Sequence, residues 1–220
     1  MKLKLLFIFG LISLTSCGTY KHQTSNRSAD EIKQLHYFSP IAYIHHIEKG
    51  NRSAFSDSLS DITRTQLDSI LSNNTNLRTS TKIEITDSVS NAKYEEELTS
   101  LFNRIMQGQQ VETLDIPPTI DSILSINNTD FSLATLSIGF GRKKGNYTGQ
   151  AAKAIGVGIL TLGMYAPIPV KSNLSVYALI FDAKNNNVAF YRRTPVKEES
   201  PTDPTALYEQ LEWLFDGYFY

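Results

Sequence analysis

Residues 174–193 read LSVYALIFDAKNNNVAFYRR. The run 174–182 carries apolar side chains at both alternating sets of positions, so as a strand it is buried on both faces. Asn185, Asn186 and Asn187 then mark a tight turn, because Asn tolerates left-handed backbone geometry better than most residues. Residues 188–193, with Phe190 and Tyr191, return as the hairpin partner. Upstream, residues 131–140 (FSLATLSIGF) place Phe131, Leu133 and Thr135 on one face and Leu136, Ile138 and Phe140 on the other, which predicts a central strand.

Further outward the period changes. Residues 41–47 (IAYIHHI) follow Pro40 and read as a first strand. Phe55, Leu59, Ile62, Leu67, Ile70 and Leu71 recur at three- and four-residue spacings, which predicts a helix of about five turns capped by Asn51 or Ser53. Ile83 and Ile85 alternate with polar residues as in a half-buried strand. A helix follows from Ser88 or Ser90 to about Gln107, with Tyr94, Leu98, Leu101, Phe102, Ile105 and Met106 on one face, and Gly108 closes it. Pro117 and Pro118 open a short helix to Ile126. Asp203 and Pro204 start a last one, carrying Leu207, Leu211, Leu214, Phe215 and Phe219. Helices that alternate with strands must cover sheet faces. The expectation is one layered α/β (α+β) domain, with a mixed central sheet of about five strands and helices packed on its faces.

The chain has 220 residues, 41% of them hydrophobic, with 21 Lys and Arg against 22 Asp and Glu. That composition supports a buried core and lacks the basic excess that nucleic-acid binders need. No nucleic-acid partner is expected.

Residues 1–20 read MKLKLLFIFGLISLTSCGTY. Lys2 and Lys4 form a positive start, and residues 5–14 form an apolar core too short to span a bilayer but suited to a cleaved signal. Leu14-Thr15-Ser16-Cys17 then resembles the lipobox of bacterial lipoproteins, and Cys17 is the only Cys in the chain. The resemblance implies that residues 1–16 are a signal peptide and that Cys17 is acylated and becomes the first mature residue. An ordinary secreted chain with one unpaired thiol would be unusual. Residues 17–37 read as a flexible tether and residues 38–220 as the folded domain. No acidic residue follows Cys17 before Asp30, which, given the resemblance to bacterial lipoproteins, implies the periplasmic face; the expected location is the outer membrane of a diderm bacterium.

With that anchor, the element order and the hairpin from Phe181-Asp182 to Phe190-Tyr191, residues 38–219 resemble TolB N-terminal-like and CsgG-like periplasmic lipoprotein domains. The resemblance implies a fold and no catalytic residue.

Candidate chemistry is sparse. His45 and His46 are adjacent in a strand and point to opposite faces, so they do not share a metal, and no metal or cofactor is expected. Gly139-Phe140-Gly141 with Gly145 has the spacing GxGxxxG, without the Lys-Ser/Thr pair of a phosphate loop, and reads as a turn with solvated Arg142, Lys143 and Lys144. Glu95, Glu96 and Glu97 read as a charged helix face. Four Asp-Ser-aliphatic triplets, at Ser58, Ser69, Ser88 and Ser122, resemble the acceptor motif of a bacterial protein O-glycosylation system; helix-start preference for Asp and Ser explains them equally well.

Residues 154–170 (AIGVGILTLGMYAPIPV) carry no charge. They read either as a buried helix leading into the next strand or as an association segment for self-contact or an envelope partner, through Ile155, Ile159, Leu160, Leu162, Met164 and Tyr165. No set of convergent polar groups points to catalysis. The expected function is a non-catalytic interaction or assembly module of the cell envelope, held to the membrane by its lipid anchor; the alternative is an envelope enzyme or small-ligand-binding protein.

Overall fold

The computed structural model describes residues 22–25, 27–48, 52–74, 76–142 and 170–220. In chain order these form β1 (Gln23–Thr24), β2 (Leu35–Phe38), β3 (Ile41–Ile47), β4 (Ser53–Phe55), α1 (Asp57–Asn73), β5 (Thr79–Ile83), α2 (Ser88–Met106), α3 (Pro118–Ile126), β6 (Phe131–Arg142), β7 (Ser172–Asp182), β8 (Asn187–Arg193) and α4 (Pro204–Phe215).

The strands form one mixed sheet in the order β1-β8-β7-β6-β2-β5, with β3 continuing the line of β2 alongside β6 and β4 paired on β3. β6, β7 and β8 run antiparallel, while β2 and β3 run parallel to β6. As expected, β6 is central and β7–β8 is a hairpin, and Asn186 at its turn has φ 51° and ψ 45°. The sheet nevertheless has eight strands among the described residues, where about five were expected. The three extra strands, β1, β2 and β4, have two, four and three residues, too short to show a period.

Ser39 and Pro40 hide β2. Pro lacks the N–H that a strand ladder uses, and the register on β6 slips there: His36 faces Ser132, but Ile41 faces Leu136. One additional residue inverts the alternation of side chains. Phe38 and Ile41, three apart, therefore lie in the same core.

Helices cover both faces. On one side α2 and α3 bury Tyr94, Leu98, Phe102, Ile120 and Leu124 against Phe38, Leu136, Leu179 and Phe181. Phe38 stacks on Tyr94 at 4.6 Å, and burial pushes the Tyr94 hydroxyl well above its usual ionisation range. On the other side α1 and α4 bury Leu67, Leu71, Leu207, Leu211 and Phe215 against Val176, Ala178, Ile180 and Phe190. Each fully buried Leu, Ile, Val or Phe among these contributes about 1.5–3 kcal/mol of transfer free energy, so the two cores carry the fold.

Several boundaries differ from expectation. The folded part begins well before residue 38: Ile32, Leu35 and Tyr37 are buried, and Gln23 and Thr24 pair with Tyr191 and Phe190, so residues 22–25 and 27–37 are not a loose tether. Ser56, not Asn51 or Ser53, caps α1 by accepting from the Leu59 amide, because Phe55 belongs to β4. Ile62 is correspondingly exposed. The last helix stops at Phe215; Gly217 takes φ 74°, and Phe219 turns back to lie 5.4 Å from Phe215.

Candidate functional site

Among the described residues, polar or exposed groups gather at the N-terminal arm, between α2 and α3 and at the far end of the sheet. At the N-terminal arm, Asp182 ends β7 fully buried and accepts from Arg27 Nε at 2.6 Å and from Asn185 Nδ2 at 2.7 Å. Arg27 also bridges to Glu31. Its hydrogen bond to Asp182, followed by that to Glu31, raises the ionisation range of the guanidinium. The pair ties residues 27–31 to the β7–β8 turn. A buried Asp ending an apolar strand is a visible signal of such a tie, but its partner lies 155 residues away and carries none.

Between α2 and α3 a cleft of about 680 Å³ is lined by Lys93, Glu97, Arg104, Asp115 and Thr119. One of its carboxylates already has a structural task. Pro117 precedes α3 and has no side-chain acceptor, so the free amides of the first turn need one from elsewhere. Glu97 supplies it, accepting from the Thr119 amide at 3.0 Å, the Thr119 hydroxyl at 2.7 Å and the Ile120 amide at 3.2 Å.

The third place is the far end of the sheet on the α2 side. Tyr43 meets α2 through Thr99, and the strands continue past it, so that Tyr43, His45, Phe55, Ile138 and Phe140 share one face of the sheet. Phe55 is 50% exposed and Ile138 37%. Phe55 lies 6.4 Å from the Tyr43 ring and 6.2 Å from His45, whose Nδ1 is 2.9 Å from Ser53 Oγ. The Arg142 guanidinium sits 5.7 Å above Phe140.

His45, Arg142 and Asp182 do not converge. His45 and Arg142 sit at one end of β6, while Asp182 pairs with Phe131 at the other, about 30 Å away over nine residues of strand. Among the described residues no group of three His, Cys, Asp or Glu side chains is placed to hold a metal. The glycine motif is not a turn: Gly139 and Gly141 lie inside β6, and so does Arg142. A side chain at Gly139 would meet the Asn173 carbonyl oxygen at 2.3 Å, so its glycine serves the close approach of β7.

Ser58, Ser69, Ser88 and Ser122 are all exposed on helices. Only around Ser88 is the whole triplet accessible: Val89 is 62% exposed, whereas Leu59, Ile70 and Ile123 are partly buried. Cys17 and the association residues Ile155, Ile159, Leu160, Leu162, Met164 and Tyr165 lie outside the described residues, as do Lys143, Lys144 and Gly145. Among the described residues no helix is long and apolar enough to cross a membrane.

No protein-family model matches the chain, and no curated protein matches it in sequence. Solved structures similar to it include PelC dodecamers from Paraburkholderia phytofirmans in two crystal forms. Their TM-scores are 0.43 and 0.41 at 8% and 7% identity, covering 90% of this chain and 95% and 94% of theirs. A DUF4136 family protein from Bacteroides thetaiotaomicron has a TM-score of 0.27 at 9% identity, covering 91% of this chain and 96% of its own. Likeness at these scores assigns no function.

Proposed function

We propose that the chain is a lipid-anchored, non-catalytic interaction module of the bacterial cell envelope. The observation that carries this reading is Leu14-Thr15-Ser16-Cys17, placed after a charged start and a short apolar core in a chain with no second Cys. Two or three acyl chains, at about 0.8 kcal/mol per buried CH₂, anchor a protein stably without help from its fold. The contact surface of this module is the far end of the sheet, where Phe55 and Ile138 expose apolar area beside Tyr43 and Phe140. Its occupant is another envelope protein.

Two measurements test the two halves. Replacing Cys17 with Ser moves the chain from the membrane to the soluble fraction of its own host; equal partition of both forms contradicts the anchor. A photo-crosslinking amino acid at position 55 or 138 gives a discrete adduct in the native envelope, and one at Thr65, exposed on α1, gives none. The same outcome at all three positions contradicts the contact surface.

A further inference from the structure

The aromatic C-terminus and the N-terminal arm occupy the same corner of the molecule. Five of the eight residues 213–220 are aromatic, against 10% over the whole chain. Phe215 is buried and needs no further explanation. Trp213, Tyr218 and Phe219 are only partly buried, and Tyr220 is 48% exposed beside the exposed Tyr208. The His22 ring lies 6.0 Å from both Phe190 and Tyr218, and Tyr218 lies 5.0 Å from Phe219.

The covalent chain limits how far this corner stands from the anchor. Cys17 and His22 are five residues apart, and a fully extended residue spans at most ~3.6 Å, so their Cα atoms are within about 18 Å of each other. Because β1 is hydrogen-bonded along β8, that limit applies to the sheet edge and not to a free strand end. A tether reaching to residue 37 would have allowed the domain to float clear of the bilayer. Tyr and Trp, apolar in body and polar at one end, are the side chains that settle at a membrane–water boundary. The charges here are mixed: Arg192 stacks 3.9 Å over Trp213 and Arg78 lies 5.7 Å from Phe219, while Glu209, Glu212 and Asp216 belong to the same helix and its end.

We infer that the corner formed by β1, the end of α4 and residues 216–220 lies against the lipid surface, with Trp213, Tyr218, Phe219 and Tyr220 in the interfacial layer. The inference rests on the proposed anchor at Cys17. It fixes the orientation of the domain: β1 and β4 lie on opposite sides of the sheet, five strand spacings of about 4.8 Å apart, so Phe55 lies at the edge away from the anchored one.

Trp213 is the only Trp in the chain and reports on its own position. The full mature chain, purified from its own envelope and reconstituted in phosphatidylcholine and phosphatidylethanolamine vesicles, is titrated with lipids spin-labelled at the headgroup or the upper acyl chain. Trp213 emission is expected to shift to the blue relative to detergent and to fall with labelled lipid. The double variant Tyr208→Ser, Tyr220→Ser, altered at exposed positions only, is expected to lose part of that quenching. Acylated chain that floats with vesicles but whose Trp213 is not quenched overturns the inference and leaves the anchor intact. Equal quenching of wild type and variant overturns the aromatic contact, since the short connection alone would then hold Trp213 near the lipid. A chain without acyl mass overturns the anchor itself, and with it the distance limit.

Discussion

Gly139 shows how a single residue sets the spacing of the sheet. An added methyl group would come within 2.3 Å of the Asn173 carbonyl oxygen, whereas at Gly141 the nearest atom is Leu59 Cδ1 at 3.7 Å. Gly139→Ala should therefore destabilise the domain by about 1–3 kcal/mol through overpacking, and Gly141→Ala should be nearly neutral. Urea denaturation of the two variants checks the contrast; equal stability would remove this account of the motif. The sequence displays the glycines but not their reason, because Asn173 lies more than thirty residues away. The four Asp-Ser-aliphatic triplets separate on the same kind of evidence. Asp87 caps α2 by accepting from the Ser90 amide at 2.8 Å, and the hydrogen bonds from Ser90 hold its carboxyl below the usual range. The neighbouring Val89 has no packing role to explain its exposure. We therefore propose Ser88 as the glycosylation acceptor among the four. Protein from the native host is expected to lose a hexose-sized mass increment on Ser88→Ala and to keep it on Ser69→Ala; the reverse result rules Ser88 out.

Among the elements, the longer ones were readable and the shorter ones were not. α2 runs 19 residues, and its apolar positions recur often enough to outvote local exceptions such as the exposed Met106. β2 has only four residues, and the slip at Ser39 and Pro40 puts its alternation out of phase with β3. Helix α3 illustrates a different limit. Its proline start was legible, but the groups that complete it come from α2. Glu97 lies in a run of three glutamates that local reasoning assigns to solvent, and only the arrangement of α2 against α3 distinguishes it from Glu95 and Glu96. Glu97→Ala is expected to cost about 1–2 kcal/mol, the range for loss of a helix cap, and Glu96→Ala next to nothing. Thermal or urea unfolding reads both. Equal effects would mean that Glu97 is a surface charge like its neighbours.

At the scale of the molecule, the sheet is closed on one side by a segment that composition alone assigns to a linker. Residues 22–25 and 27–37 contain few apolar side chains, and the large ones, Ile32, Leu35 and Tyr37, are buried. The Arg27–Asp182 pair and the β1–β8 ladder fasten this arm across a separation that no local pattern reveals. The layered α/β architecture was legible because β6, β7 and β8 are long and apolar. Of the proposed sites, the anchor at Cys17 is legible because it is a local motif, whereas the exposed sheet end depends on the pairing of β4 and β6 with β3. The proposed anchor at Cys17 is what would make the β1 edge membrane-proximal. Intact mass and amino-terminal peptide mapping of the mature chain from its own envelope test it most directly. The predicted chain starts at Cys17 and carries a diacylglyceryl group on its thiol; a chain starting at any other residue, or at Cys17 with a free thiol, would contradict it.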